Sequence, residues 1–411
     1  MILTHADKLL LSGLLPGRAD SLRALLREAT PDWNVIINRA DLHGLVALLR
    51  FNLAQAGLLT TLPSDVQAAL SHLAQFQTAR HLACVSESLR LMRAMKAAGV
   101  TTIPLKGAAL MLGDYYPQPG LRFASDIDLL VSPDELVQAE RVAHECGYVV
   151  KKYPDAEPGA TLLPPRAEHR LPAELNHAEA RTGPAGLLLE LHRRAFHYAR
   201  GARDFGFAEM IERAVPHPAE PACLLPAPED LSLHLVHHTL VDLRSTHLIL
   251  RTMADLHFIA QRHPDVPQRL TERAAHIGLG HAAQTALELL RLLRSGSDDE
   301  LALAAQRGSL SVLFEAALQP SPALAASASF FEHFDVRQSV AGAVRSMATV
   351  ALSSPDHLAR DYGANEAGRN YWHYARRVRD VLRKFNWRSL HPSTLRQMIR
   401  LRRIGRPSAG R

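Results

Sequence analysis

Two carboxylates one residue apart, Asp126 and Asp128, open the apolar run Asp126-Ile127-Asp128-Leu129-Leu130-Val131. In an extended strand residues i and i+2 project from the same face, so the pair points one way while Ile127 and Leu129 point the other. Like charges this close repel, and a fold tolerates them when a cation, a basic partner or a shared proton compensates. The chemistry such a pair supports is the holding of a divalent metal. Asp-x-Asp is also a common pattern at turns and exposed strand ends, so its surroundings decide.

Upstream, Gly99 to Leu105 reads as a short strand rich in β-branched residues, followed by Lys106-Gly107 and by helix-like Ala108-Ala109-Leu110-Met111-Leu112. A strand, a glycine turn and a helix start form a natural anion site, because free backbone N–H groups and the helix dipole face the ligand. The chain uses 6 Lys against 41 Arg. A lysine in this turn therefore reads as a compact point charge for phosphate, with a plain surface lysine as the simpler alternative. Downstream, Gly186-Leu187-Leu188-Leu189-Glu190-Leu191-His192 is again strand-like. An acid among leucines is costly to bury, so Glu190 either lies at an exposed strand edge or completes the Asp126–Asp128 site.

The elements that must position these groups are legible in outline. Ser132-Pro133-Asp134-Glu135 has the form of a capping box; Leu136, Ala139, Ala143 and Cys146 follow at helical spacing, Gly147 ends the helix, and Tyr148-Val149-Val150 resumes as strand. Four regions are expected: residues 1–98, helical, with helix starts at Pro31-Asp32 and Leu62-Pro63-Ser64-Asp65; residues 99–200, the strand-bearing core, interrupted by an insertion from Pro154 to Pro172; residues 201–294, helical again from Pro228 and packing on the core; and residues 295–411, helical with a basic tail, entered through Ser295-Gly296-Ser297 as a linker.

Several other chemistries lack their residues. Cys84, Cys146 and Cys223 are isolated, which suits a reducing compartment, and no Gly-x-Ser-x-Gly elbow or Walker loop is present. His234, His237 and His238 lie close together, but no His-Glu-x-x-His or paired-cysteine pattern accompanies them to make a zinc site. The N-terminus has no basic-then-apolar leader pattern, and no run of about 18 apolar residues could span a bilayer. A cytoplasmic protein is the expectation.

Taken in order, Leu105-Lys106-Gly107-Ala108-Ala109-Leu110, Tyr116 with Arg122, Ser125-Asp126-Ile127-Asp128-Leu129-Leu130-Val131, Gly147-Tyr148, Asn176-His177 and Leu189-Glu190-Leu191-His192 resemble the bacterial uncharacterised nucleotidyltransferase family, a branch of the DNA polymerase β-like superfamily. The likeness covers roughly residues 25 to 290, including Trp33 to Leu49 and Leu231 to Phe258. It implies an α+β fold, a small mixed β-sheet flanked by N-terminal and C-terminal helical regions. By the same resemblance Asp126, Asp128 and Glu190 would be catalytic and bind Mg²⁺ or Mn²⁺. Lys106, Gly107, Ala108, Arg122 and Ser125 would bind a nucleoside triphosphate. His177 and His192, read from their place near the third carboxylate and not from the resemblance, are candidates to orient the acceptor, with ordinary polar fillers as the plainer alternative. In the superfamily's Gly-Ser phosphate turn the serine is replaced here by Ala108 and a lysine is added, so backbone N–H groups and Lys106 substitute for a hydroxyl.

The reaction so implied is transfer of NMP from an NTP to a hydroxyl of a small molecule, peptide or RNA, with loss of pyrophosphate. The alternative is a catalytically inactive protein of the same fold that binds a partner through its helical flanks and tail. From His373 to Arg411 there are 12 Lys or Arg and one acid, Asp380, with Trp372, Phe385 and Trp387 interleaved. Nucleic acid, an anionic membrane surface or an acidic partner would suit that segment, as would plain solvent.

Overall fold

Strand β2 (Asp126–Val131) is the spine of a five-stranded mixed sheet in the computed structural model. It pairs antiparallel with β1 (Thr102–Pro104) on one side and parallel with β5 (Leu188–His192) on the other. Beyond β5 lie the two-residue strands β4 (Arg181–Thr182) and β3 (Val149–Val150), giving the order β1-β2-β5-β4-β3. The structure describes residues 1–150, 178, 180–196, 205–241, 245 and 248–319, with 379, 397, 399–401, 403 and 404 singly. His177, the insertion from Pro154 to Pro172 and nearly all of the basic tail lie outside the described residues.

Strand periodicity sorts the sheet into two faces. Ile127, Leu129, Val131, Leu189 and Leu191 are buried in one apolar cluster with Leu91, Met92 and Met95 of α5 (Ser64–Ala97) and Leu136, Ala139 and Ala143 of α7 (Leu136–Glu145). The other face carries the polar residues. The 34-residue α5 serves two cores because its buried positions recur at helical spacing along its whole length; Val66 and Leu70 join the helical lobe and Cys84 onward joins the sheet. Its Arg80 also ties the strand starts together, donating to the carbonyls of Ser125 at 3.1 Å and Gly186 at 2.9 Å.

The N-terminal helices α1 (His5–Leu14), α2 (Ala19–Glu28), α3 (Trp33–Leu42) and α4 (Val46–Gln55) share one core with the later helices. Asp32 caps α3 through the Val35 N–H at 3.2 Å, and α5 starts at Ser64 directly after Pro63, as the sequence patterns indicate. After α6 (Lys106–Leu112), α7 and the short α8 (Phe207–Ile211), the hairpin β6 (Val215–His217) and β7 (Glu220–Leu225) leads into α9 (Pro228–Val236) and α10 (Ile249–Arg262). Helices α11 (Val266–His276), α12 (Gly280–Ser295), α13 (Asp298–Ala304) and α14 (Gly308–Leu318) follow. The Ser295-Gly296-Ser297 segment is a tight corner between α12 and α13, with Ser297 capping α13 through the Glu300 N–H at 3.1 Å.

One local expectation fails. Ser132 to Glu135 form a turn rather than a capped helix start, and α7 begins at Leu136. The Glu135 carboxylate is taken by the Thr101 N–H, 3.1 Å away, which ties this turn to the residue before β1. Gly147, at φ +84°, does end α7 as its position suggests, since only glycine adopts that conformation cheaply.

Candidate functional site

The parallel register of β2 and β5 sets Asp128 directly beside Glu190 and Leu130 beside His192. In-register neighbours of a parallel pair share a face, so the i, i+2 rule on each strand gathers Asp126, Asp128, Glu190 and His192 on one side. His192 Nε2 lies 2.8 Å from Asp128 Oδ1 and 3.4 Å from Glu190 Oε2. Donor atoms of Asp128, Glu190 and His192 all fall within 4.8 Å of one another, and they form the one such set among the described residues. Two carboxylates and an imidazole are a donor set that fits a divalent cation. Asp126, at the strand start, is on the same face but outside that set.

Lys106 supplies the counter-charge. It sits at the head of α6 in a left-handed conformation, φ +46°, unusual for a residue with a side chain, and its Nζ reaches Asp128 Oδ1 at 2.7 Å. Burial pushes the Asp128 carboxyl up, but the Lys106 ammonium and His192 outweigh it and hold it well below the usual carboxylate range. Burial likewise disfavours the charged His192, yet its hydrogen bonds to Asp128 and Glu190 raise it. Asp126 goes the other way: burial and then the Asp128 charge lift it to about 6. Gly107 is held close, since a Cβ there would stand 2.7 Å from the Ala124 methyl; this keeps the backbone of Lys106-Gly107-Ala108 against the loop before β2.

The opposite wall comes from α9, the wider π-helical turn His237–Val241 that continues it, and α10. Ala109 and Leu110 of α6 pack against Leu231, Leu235 and Ile259, which fixes α9 and α10 over the Lys-Gly turn. Asp255, fully buried on α10, accepts from Arg122 Nε at 2.7 Å and from the Tyr116 hydroxyl at 2.5 Å. Arg122 is thus on the pocket wall with its charge already balanced, and it also bonds the Phe123 carbonyl. Arg251 beside it donates to the His43 carbonyl and makes no ion pair among the described residues; burial and then the Arg122 charge lower it to about 10. His234 is buried with neither ring nitrogen hydrogen-bonded, and burial, Lys106 and His192 keep it neutral.

Together these walls enclose a cavity of about 270 Å³ lined by Lys106, Gly107, Arg122, Ala124, Ser125, Asp126, Glu190, His192, His234, His237, His238, Arg251 and Asp255, among others. Ser125 is at its exposed rim, with Oγ 3.4 Å from Asp126 Oδ1, and Ala108 is buried behind the turn. Asp255 and Arg251 escaped the sequence reading; the available signal was an ionisable residue inside the apolar stretch Met253-Ala254-Asp255-Leu256 of an amphipathic helix. His234, His237 and His238 do come together, as ring-stacked neighbours of Phe196 and each other rather than as a metal set.

A small mixed sheet with carboxylates on its two central strands, a Lys-Gly turn facing them and helices on both flanks defines a nucleotidyltransferase-type α+β protein. Residues 29–295 match the model of the uncharacterised nucleotidyltransferase family, and the chain belongs to that family. No curated protein and no solved structure is significantly similar to it. No helix among the described residues is long and apolar enough to cross a membrane.

Proposed function

We propose that this protein is a divalent-metal-dependent nucleotidyltransferase, using Mg²⁺ or Mn²⁺, that moves NMP from an NTP to a hydroxyl acceptor. The observation that carries the reading is the register that seats Asp128 against Glu190 with Lys106 on the same carboxylate. Asp126, Asp128 and Glu190 would hold the cation, which when bound supplies charge neutralisation to the phosphates and the attacking oxygen. The Lys106-Gly107-Ala108 backbone and the Lys106 ammonium receive the triphosphate in place of the missing hydroxyl, with Ser125 at the rim. Arg251 adds a cation that makes no ion pair among the described residues, while Arg122, held by Asp255, stiffens the wall. Glu190 and His192 orient the acceptor hydroxyl. Its oxygen gives up its proton to the Glu190 carboxylate as it attacks the α-phosphorus in line, the bond to the bridging oxygen breaks, and pyrophosphate leaves.

The test uses α-labelled NTPs, Mg²⁺ or Mn²⁺ and cell extract fractionated into small molecules, RNA and protein. Label should enter one fraction with wild-type protein and fall about 100–1,000-fold with Asp126→Asn or Glu190→Gln, the order of loss expected when a charge-stabilising group is removed. Transfer indifferent to both substitutions sinks the assignment.

A further inference from the structure

The carboxylates of this pocket do not stand alone, and the nitrogen among them bears on which metal they would take. His192 follows Glu190 by two residues on β5, so both side chains leave the same face, and the β2 register brings Asp128 to them. It is Nε2 that faces both acids, at 2.8 Å from Asp128 Oδ1 and 3.4 Å from Glu190 Oε2. Two donors on one first-row cation, each about 2.1 Å from it, stand about 3.0 Å apart at a right angle and about 3.4 Å apart at a tetrahedral angle. The imidazole nitrogen therefore already stands from each carboxylate oxygen near the spacing of a shared coordination shell, and all three donor atoms lie within 4.8 Å of one another.

Charge points the same way. Asp126, Asp128 and Glu190 offer three negative charges against the Lys106 ammonium beside them and the Arg251 guanidinium on the opposite wall, so a net negative charge remains for a dication when the imidazole is neutral. A lysine already on Asp128 makes a second permanent cation from His192 unnecessary once a metal is present. Mg²⁺ prefers an all-oxygen, largely hydrated shell; an imidazole is a ligand of first-row transition cations, and among these Mn²⁺ is the one that also suits carboxylate oxygens, which matches a set of two acids and one imidazole.

We propose that His192 is a direct metal ligand through Nε2, completing an Asp128–Glu190–His192 donor set that selects Mn²⁺ over Mg²⁺. The proposal rests on reading the pocket as a divalent-cation site and goes beyond the three-carboxylate set by adding a nitrogen and a metal preference. It also gives His192 a role distinct from orienting the acceptor.

Affinity alone does not separate a ligand from a residue that merely orients one, because either loss weakens binding about 10–100-fold. The deciding measurement is pulsed EPR of Mn²⁺ on the full chain, with natural-abundance and ¹⁵N-histidine-labelled protein, together with Mn²⁺ and Mg²⁺ titrations by calorimetry. Wild type should show a directly coordinated histidine nitrogen and bind Mn²⁺ at least about tenfold more tightly than Mg²⁺. His192→Gln should lose the nitrogen coupling and most of that preference. Glu190→Gln, which leaves the imidazole in place, should keep the coupling while binding Mn²⁺ more weakly, and so controls for misfolding of the first variant.

Mn²⁺ bound without nitrogen coupling, coupling that persists in His192→Gln, equal affinity for the two metals, or no binding at millimolar Mn²⁺ each overturns the proposal. A nitrogen-coupled Mn²⁺ in a protein that transfers no label leaves this inference standing and removes the nucleotidyl-transfer reading instead.

Discussion

Replacing Asp126 by Asn should make the metal-free protein more stable and inactive at once. Burial and the neighbouring Asp128 charge raise the Asp126 carboxyl from its ordinary 3.8 to about 6. Because the folded-state value lies above the unfolded one, the folded protein binds the extra proton between those two pH values, and stability falls as pH rises through that window. The full penalty is present above about pH 6. At roughly 1.4 kcal/mol per pH unit it has a ceiling of about 3 kcal/mol, trimmed to about 2 kcal/mol by the part of the side chain that reaches solvent. Asn cannot ionise, so Asp126→Asn should gain that amount at pH 7.5 and almost nothing at pH 4. Urea unfolding of both proteins in EDTA at the two pH values measures it, and added Mn²⁺ should stabilise wild type far more than the variant. A variant no more stable at pH 7.5, or a difference that does not shrink with acid, refutes the account of Asp126 as a carboxylate held against its preference.

Asp128→Asn should behave in the opposite sense, costing up to about 3 kcal/mol, because it leaves the largely covered Lys106 ammonium without its ion-pair partner; denaturant midpoints give the comparison directly. The stability Asp128 contributes is present above the ordinary carboxyl range and is lost only as pH falls through its depressed folded-state value, well below that range. Asp255→Ala should destabilise by about 3–5 kcal/mol, and combining it with Tyr116→Phe should cost less than the two separate losses added, since both act on one buried network. Gly107→Ala forces a methyl toward Ala124, so it should cost about 1–3 kcal/mol and weaken NTP binding at least tenfold as read by equilibrium dialysis.

The carboxylate half of the site was legible because strand periodicity is a local property. Asp126 and Asp128 declare a common face, and Glu190 and His192 declare another, within runs of seven residues or fewer. What no local pattern states is that the two faces are the same one; that depends on the parallel β2–β5 register, which pairs residues 62 apart in sequence. Lys106 was legible through its rarity and its glycine turn, but its reach to Asp128 depends on a left-handed backbone that no propensity indicates. The helical wall was least legible. Asp255, Arg251 and His234 ride on helices whose apolar spacing explains them as core, and their chemistry appears only when α6 is packed beneath them. Ser132 to Glu135 misled because a capping pattern competes with any stronger acceptor need nearby, here that of the Thr101 N–H.

The Arg122–Asp255 pair also sets an order of events during synthesis. Arg122 leaves the ribosome 133 residues ahead of the acid that will neutralise it inside the protein. At about 5–20 residues per second that is a wait of roughly 7–27 s, during which the segment carrying β2 has its strand sequence but not its burial partner. Long-separated contacts of this kind form late and slowly. The nascent chain therefore passes through a stage in which Asp126 and Asp128 exist on an unfinished sheet, and the pocket closes only when α10 arrives. Codon usage or chaperone contact over residues 130–255 would be felt there first, as loss of pocket assembly with secondary structure already in place.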